Sequence, residues 1–191
     1  MNEFSLYYPK EIFFGDGTAS LISKKIPKDS RILLLSSSSF RASQQSSILN
    51  ELSANFAVLN AEPIAYEAPL HGVEKLIEIG RAEKVSAVVA IGGGATIDAG
   101  KAGAAIIPAE GTCREYFYGQ KKISKKGLFF AALPTTAGSG AEITSNAVLL
   151  DTRELVKQSI RHPLMTADLA IVDPLLTVSL PPDITAWSGL D

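Results

Sequence analysis

The sequence predicts an α/β fold: a mostly parallel sheet flanked by helices, with one β-hairpin. Three observations carry that expectation. Short apolar runs bounded by turn residues alternate with longer amphipathic stretches, as repeated βαβ units require. Two of those runs, 85–91 and 127–134, lead directly into loops rich in glycine or hydroxyl residues. Residues 143–160 hold two extended runs around a polar turn, where a helical period is absent.

Taken in order, FSLYY (4–8) and EIFFG (11–15), parted by Pro9 and Lys10, read as a short extended pair. TASLISKKI (18–26) reads as a first helix, RILLLS (31–36) as a buried strand, RASQQSSILNELSA (41–54) as a helix and FAVLN (56–60) as a second strand. Over 68–84, Val73, Leu76, Ile77 and Gly80 share one helical face, with Glu74, Lys75 and Glu78 opposite. VSAVVAI (85–91) is the third strand and GLFFAALP (127–134) another. LAIVDP (169–174) is a short last strand stopped by Pro174, and SLPPDITAWSGLD (179–191) opens a helix, with prolines where a helix start tolerates them.

Bulk properties narrow the function classes. The chain has 191 residues, 46% hydrophobic and 20% charged, with a formal net charge of -2. That is enough for a sizeable core and excludes wholesale disorder. It offers neither a basic face for nucleic acid nor a polybasic membrane anchor. The N-terminus lacks the features of a signal peptide and no apolar run is long enough for a membrane span, so a cytoplasmic protein is expected. The single cysteine, Cys113, agrees with a reducing compartment, and with His71 and His162 the only histidines there is no cluster at metal-ligand spacing.

The stretch VVAIGGGATIDAGKA (88–102) sets Gly92, Gly93 and Gly94 between a strand and a helix. Glycines there allow a tight turn and let a ligand approach without meeting a Cβ, and the helix start aims free N–H groups at the gap, which suits a pyrophosphate. The spacing departs from the G-x-G-x-x-G fingerprint, because Ile97 stands where the last glycine would be. A tight structural turn explains the triplet equally well. Asp98 also reads as an early-helix acid favoured by the dipole, and Lys101 as a surface lysine. The run LPTTAGSGAEITSNAV (133–148) follows a strand with Thr135, Thr136, Ser139 and Thr144 around two glycines. Parallel sheets bind ligands at such strand ends, although the hydroxyls could instead satisfy a local polar turn.

AIGGGATIDAGKA (90–102), LPTTAGSGAEIT (133–144) and AIVDPLLTVSLPPDITAWSGLD (170–191), in that order and spacing, together resemble the N-terminal half of the iron-containing (group III) alcohol dehydrogenase family. The likeness runs from EIFFGDG to Asp191. The wider superfamily includes glycerol dehydrogenase and dehydroquinate synthase. The resemblance implies a Rossmann-like, dehydroquinate synthase-like dinucleotide-binding domain over 1–180, and over 181–191 the start of the first helix of a helical metal-binding domain.

It further implies that Gly93, Gly94 and Ala95 face the cofactor diphosphate and that Asp98 lies near the nicotinamide ribose. The family often carries serine at position 95, so this chain lacks that hydroxyl. Thr135, Thr136, Ser139 and Thr144 would line the cofactor's other side, Lys157 would contact the nicotinamide ribose and Leu176 would pack against the adenine. Read as bare residues, Lys157 is an outward strand lysine and Leu176 ordinary core. Asp191 aligns with the first ligand of a divalent metal, Fe²⁺ or Zn²⁺; by itself it is a terminal carboxylate. Neither histidine falls on family chemistry, and both read as solvated or hydrogen-bonded. No catalytic residue is assigned.

Many family members have aspartate about where Ser37 stands, and no acid occurs from Ser36 through Ser47. With Arg41 close by, this serine-rich segment could accept a 2′-phosphate, so NADP(H) is favoured over NAD(H); serines are also ordinary helix N-caps. The function expected is the cofactor-binding part of a metal-dependent dehydrogenase acting on a small alcohol or aldehyde, with a homodimer possible and no nucleic acid or membrane partner. Two alternatives remain: a metal-independent reductase of the maleylacetate reductase type, and a nucleotide-binding module without catalysis.

Overall fold

The computed structural model describes residues 5–43, 47–64 and 67–190. Its centre is a six-stranded sheet of β1 (Glu11–Phe14), β2 (Arg31–Ser36), β3 (Ala57–Asn60), β4 (Ala87–Gly92), β5 (Phe129–Pro134) and β8 (Leu169–Val172). The order is β1-β8-β5-β4-β2-β3 and every pairing is parallel. A separate antiparallel hairpin joins β6 (Asn146–Asp151) to β7 (Val156–Arg161). The expected fold class is therefore observed.

Parallel strands must be covered on both faces, and the two-residue period divides the apolar side chains between two cores. Leu33, Leu35, Val88, Ala90, Phe130 and Ala132 point to one side. That side is covered by α4 (Leu70–Ala82), α5 (Gly94–Ile106), α6 (Cys113–Phe117) and the hairpin. Ile32, Leu34, Val89, Ile91, Ala131 and Leu133 point to the other. There the cover comes from α1 (Ile22–Lys25), with the 3-10 turn Thr18–Leu21 before it, α2 (Ser38–Arg41) and α3 (Ser47–Asn55). Each fully buried Leu, Ile or Val contributes about 2 kcal/mol.

Two expectations need correction. FSLYY and EIFFG do not pair with each other: Glu11–Phe14 lies beside β8, Lys10 and Glu11 donate to the carbonyls of Ala167 and Asp168, and residues 5–9 hold no strand. Phe4 is outside the described residues. The helix read over 41–54 is also displaced. A short α2 begins three residues earlier, because the Ser37 hydroxyl accepts from Phe40 N and caps it, and α3 runs over Ser47–Asn55. The hydroxyl that caps a turn outweighed the apolar period of the stretch after it.

The crossovers single out one edge of the sheet. The chain leaves β2 for β3 on one side and β4 for β5 on the other, so the carboxyl ends of adjacent β2 and β4 form a topological switch point. The last element, α7 (Pro182–Leu190), lies past the 3-10 turn Pro174–Thr177.

Candidate functional site

Three loops leave the carboxyl edge from adjacent strands. Ser37 follows β2, Gly93 follows β4 and Thr135 follows β5. They are tied in a row, Ser37 N donating to Ile91 O at 3.0 Å and Thr135 N to Gly92 O at 3.0 Å. The sheet thereby brings together stretches that sequence separates by about a hundred positions.

Gly93 caps α5 without any side-chain acceptor, and the first intrahelical bond there runs from Ile97 N to Gly93 O. The N–H groups of Gly94, Ala95 and Thr96 have no intrahelical partner, and among the described residues no side chain accepts from them. A Cβ on Gly93 would meet nothing nearer than Thr136 Cγ2 at 3.5 Å, an ordinary contact, so the packing of the protein itself does not demand glycine there. Its φ of -75° is ordinary, and glycine is not needed there for conformation. A Cβ on Gly94 would lie 2.8 Å from Ser139 Oγ. The glycine loop and the hydroxyl loop are thus in direct contact, beside the unpartnered amide donors of the helix start.

Lys101 corrects the surface reading of its residue. It is 1% exposed, and its Nζ donates to Ala141 O at 2.6 Å, Thr144 Oγ1 at 3.0 Å and Asn146 O at 2.8 Å. Asp98 Oδ1 stands 3.7 Å away, while Asp98 Oδ2 accepts from Val148 N at 3.0 Å. Burial pushes the Lys101 pKa down to about 8 against the pull of Asp98, and burial pushes the Asp98 carboxyl above its ordinary value. Sequence reasoning missed Lys101; its position one turn after Asp98 on an otherwise glycine- and alanine-rich helix was the available signal.

The remaining expected residues are distributed as follows. Thr135 is buried at the strand end, and Thr136 and Ser139 face the glycines. Thr144 sits behind them with its hydroxyl engaged by Lys101 and by Ala141 O. Ser37 is half-buried, and its Oγ is 3.2 Å from Ser39 Oγ. Arg41 is committed inward, Nε to Ser36 Oγ at 2.7 Å and a terminal nitrogen to Ala61 O at 2.6 Å. Lys157 is exposed on β7 and paired with Glu67 at 2.7 Å. Leu176 is 2% exposed within the second core, held by the turn that Asp173 caps through Leu175 N; the other oxygen of Asp173 accepts from Ala19 N. Asp191 lies outside the described residues.

His162 Nδ1 accepts from Leu164 N at 3.2 Å, and His71 is exposed on α4. Cys113 is buried, which pushes its thiol up to about 12 and leaves it no nucleophile. Among the described residues no three His, Cys, Asp or Glu side chains gather to hold a metal ion, and no helix is long and apolar enough to cross a membrane.

A family model described as "Iron-containing alcohol dehydrogenase" matches residues 9–174. The long-chain-alcohol dehydrogenase 1 of Geobacillus thermodenitrificans is 39% identical over 127 residues, covering 65% of this chain and 32% of that protein. The 1-propanol dehydrogenase PduQ of Salmonella typhimurium is 30% identical over 193 residues, covering 100% of this chain and 47% of its own. The crystal structure of sulfoacetaldehyde reductase from Bifidobacterium kashiwanohense, in complex with NAD+, superposes with a TM-score of 0.89 at 32% identity, covering 100% of this chain and 51% of that one. The chain spans about half the length of these relatives or less.

Proposed function

This chain belongs to the iron-containing alcohol dehydrogenase family, and from that premise we propose that it binds a nicotinamide dinucleotide across the three loops, as the cofactor-binding part of an alcohol or aldehyde oxidoreductase. The observation that carries the proposal is the row of unpartnered N–H groups of Gly94, Ala95 and Thr96 beside Gly93, a glycine that neither its φ nor its neighbours require. A diphosphate fits such a place because it brings acceptors to donors that have none, with the helix dipole in its favour. Bound there, the nicotinamide would supply hydride transfer to or from a small alcohol or aldehyde.

This chain's residues bind and orient. Gly93, Gly94 and Ala95 hold the diphosphate through backbone, and Thr135, Thr136 and Ser139 form the facing wall with Thr144 behind them. Asp98 and Lys157 lie toward the nicotinamide ribose, Ser37 toward the other ribose and Leu176 beneath the adenine. A metal centre, Fe²⁺ or Zn²⁺, with Asp191 as one ligand belongs to the same reading; among the described residues no three His, Cys, Asp or Glu side chains gather to complete it. We place NADP(H) ahead of NAD(H), because Ser37 and its neighbours offer hydroxyls and no carboxylate to repel a 2′-phosphate.

Titration calorimetry with NADPH and NADH tests the proposal. Saturable binding of both, several-fold tighter for NADPH, is expected. Absence of binding by either removes the dinucleotide reading, and tighter NADH binding reverses the preference alone.

A further inference from the structure

Lys101 uses its three donors on three acceptors that belong to one segment. Ala141 O, Thr144 Oγ1 and Asn146 O all lie on the stretch that carries the hydroxyl loop into β6. Asp98, one turn earlier on α5, takes Val148 N on the same strand. Between Thr135, whose N–H meets Gly92 O, and Ser145, whose carbonyl accepts from His162 N, Lys101 is the one source of hydrogen bonds from elsewhere in the chain among the described residues. The bond from Ile143 N to Gly140 O and that from Thr144 Oγ1 to Ala141 O are internal to the loop.

We propose that Lys101 is a positioning residue for dinucleotide binding, holding the hydroxyl loop against the glycine loop in its binding shape before any ligand arrives. This role rests on the dinucleotide reading above. A purely structural function would be met better by apolar side chains, since a buried ion pair is commonly matched or exceeded in stability by a well-packed hydrophobic substitute. Lys101 and Asp98 are both disfavoured as charges by their burial. What they supply in return is a fixed direction for each of four backbone or hydroxyl partners. A loop ordered in advance loses less freedom on binding, which raises affinity without touching the ligand.

The charges facing Lys101 are Asp98 on its own helix and Glu142 on the loop; its remaining partners are neutral. Because burial lowers its pKa from 10.5 to about 8, the folded protein releases a proton that the unfolded chain keeps between those values. Stability therefore rises as pH climbs from about 8 toward 10.5, and the benefit is lost as pH falls back through about 8.

The test compares the wild-type chain with Lys101→Met. In the absence of ligand, amide hydrogen exchange of 141–146 should quicken about tenfold in the variant while β4 and α5 keep their protection. NADPH affinity by calorimetry should fall about tenfold. The alkaline rise in stability should disappear. Should Lys101→Met fail to fold, Thr144→Val removes one acceptor only and should loosen the same segment to a smaller degree. Unchanged exchange of 141–146 in a folded variant, or faster exchange with undiminished NADPH affinity, overturns the role of Lys101 and leaves the site intact. A wild type that binds no dinucleotide overturns the site and this role together.

Discussion

The glycine loop at 92–94 and the hydroxyl loop at 135–145 start one hydrogen bond apart, yet they keep their shapes by opposite means. The first is made by what is missing. Its strand and helix are continuous with it, Gly92 still pairs with Pro134 in the sheet, and Thr96 closes directly over Gly92. The second is made by what reaches it: one ammonium from α5 bonds to a carbonyl and a hydroxyl within it and to the Asn146 carbonyl just past its end. A loop shaped by backbone alone can be perturbed only by adding atoms, whereas a loop shaped by a distant side chain can be released by removing one.

Three substitutions sharpen that contrast, in falling order of effect. Gly92→Val should damage the fold itself, because its Cβ would lie 2.6 Å from Thr96 Oγ1, and Thr96 is buried. A loss of about 3 kcal/mol is expected in chemical denaturation. Gly93→Val should leave stability within about 1 kcal/mol, since Thr136 is at ordinary contact distance, yet weaken NADPH binding about 100-fold in calorimetry. If both variants lose stability alike, the missing Cβ at Gly93 serves the fold and not a ligand. Ser37→Asp should move the preference toward NADH by about tenfold through repulsion of the 2′-phosphate. An equal loss for both dinucleotides would place the ribose elsewhere.

The same contrast explains what was legible in the sequence. β2, β4 and β5 are unbroken apolar runs bounded by punctuation, so they could be read directly, and Gly92–Gly94 announced their own loop. The partner of β1 could not be read, because pairing of Glu11–Phe14 with Leu169–Val172 is a contact across the whole chain. The serine-rich stretch misled for a local reason, the Ser37 hydroxyl capping a helix ahead of the apolar period. Lys101 was only half legible: Asp98 one turn earlier on a small-residue helix marked it, but its acceptors lie forty positions and more onward. Asp173 escaped attention likewise: it looks like a strand-ending acid, and its oxygens in fact bind the amides of Ala19 and Leu175.

The seat of α5 on the sheet has a consequence for how the chain can change. Gly100 lies so close to β4 and β5 that a Cβ there would stand 2.9 Å from the Cβ of Ala90 and 3.1 Å from Phe130 Cε2. A bulkier residue would wedge the helix outward about two turns downstream of its first free amides, tilting them off target. A mutation in the dry interior, far from any solvent, would then register in a screen as a defect in cofactor capture.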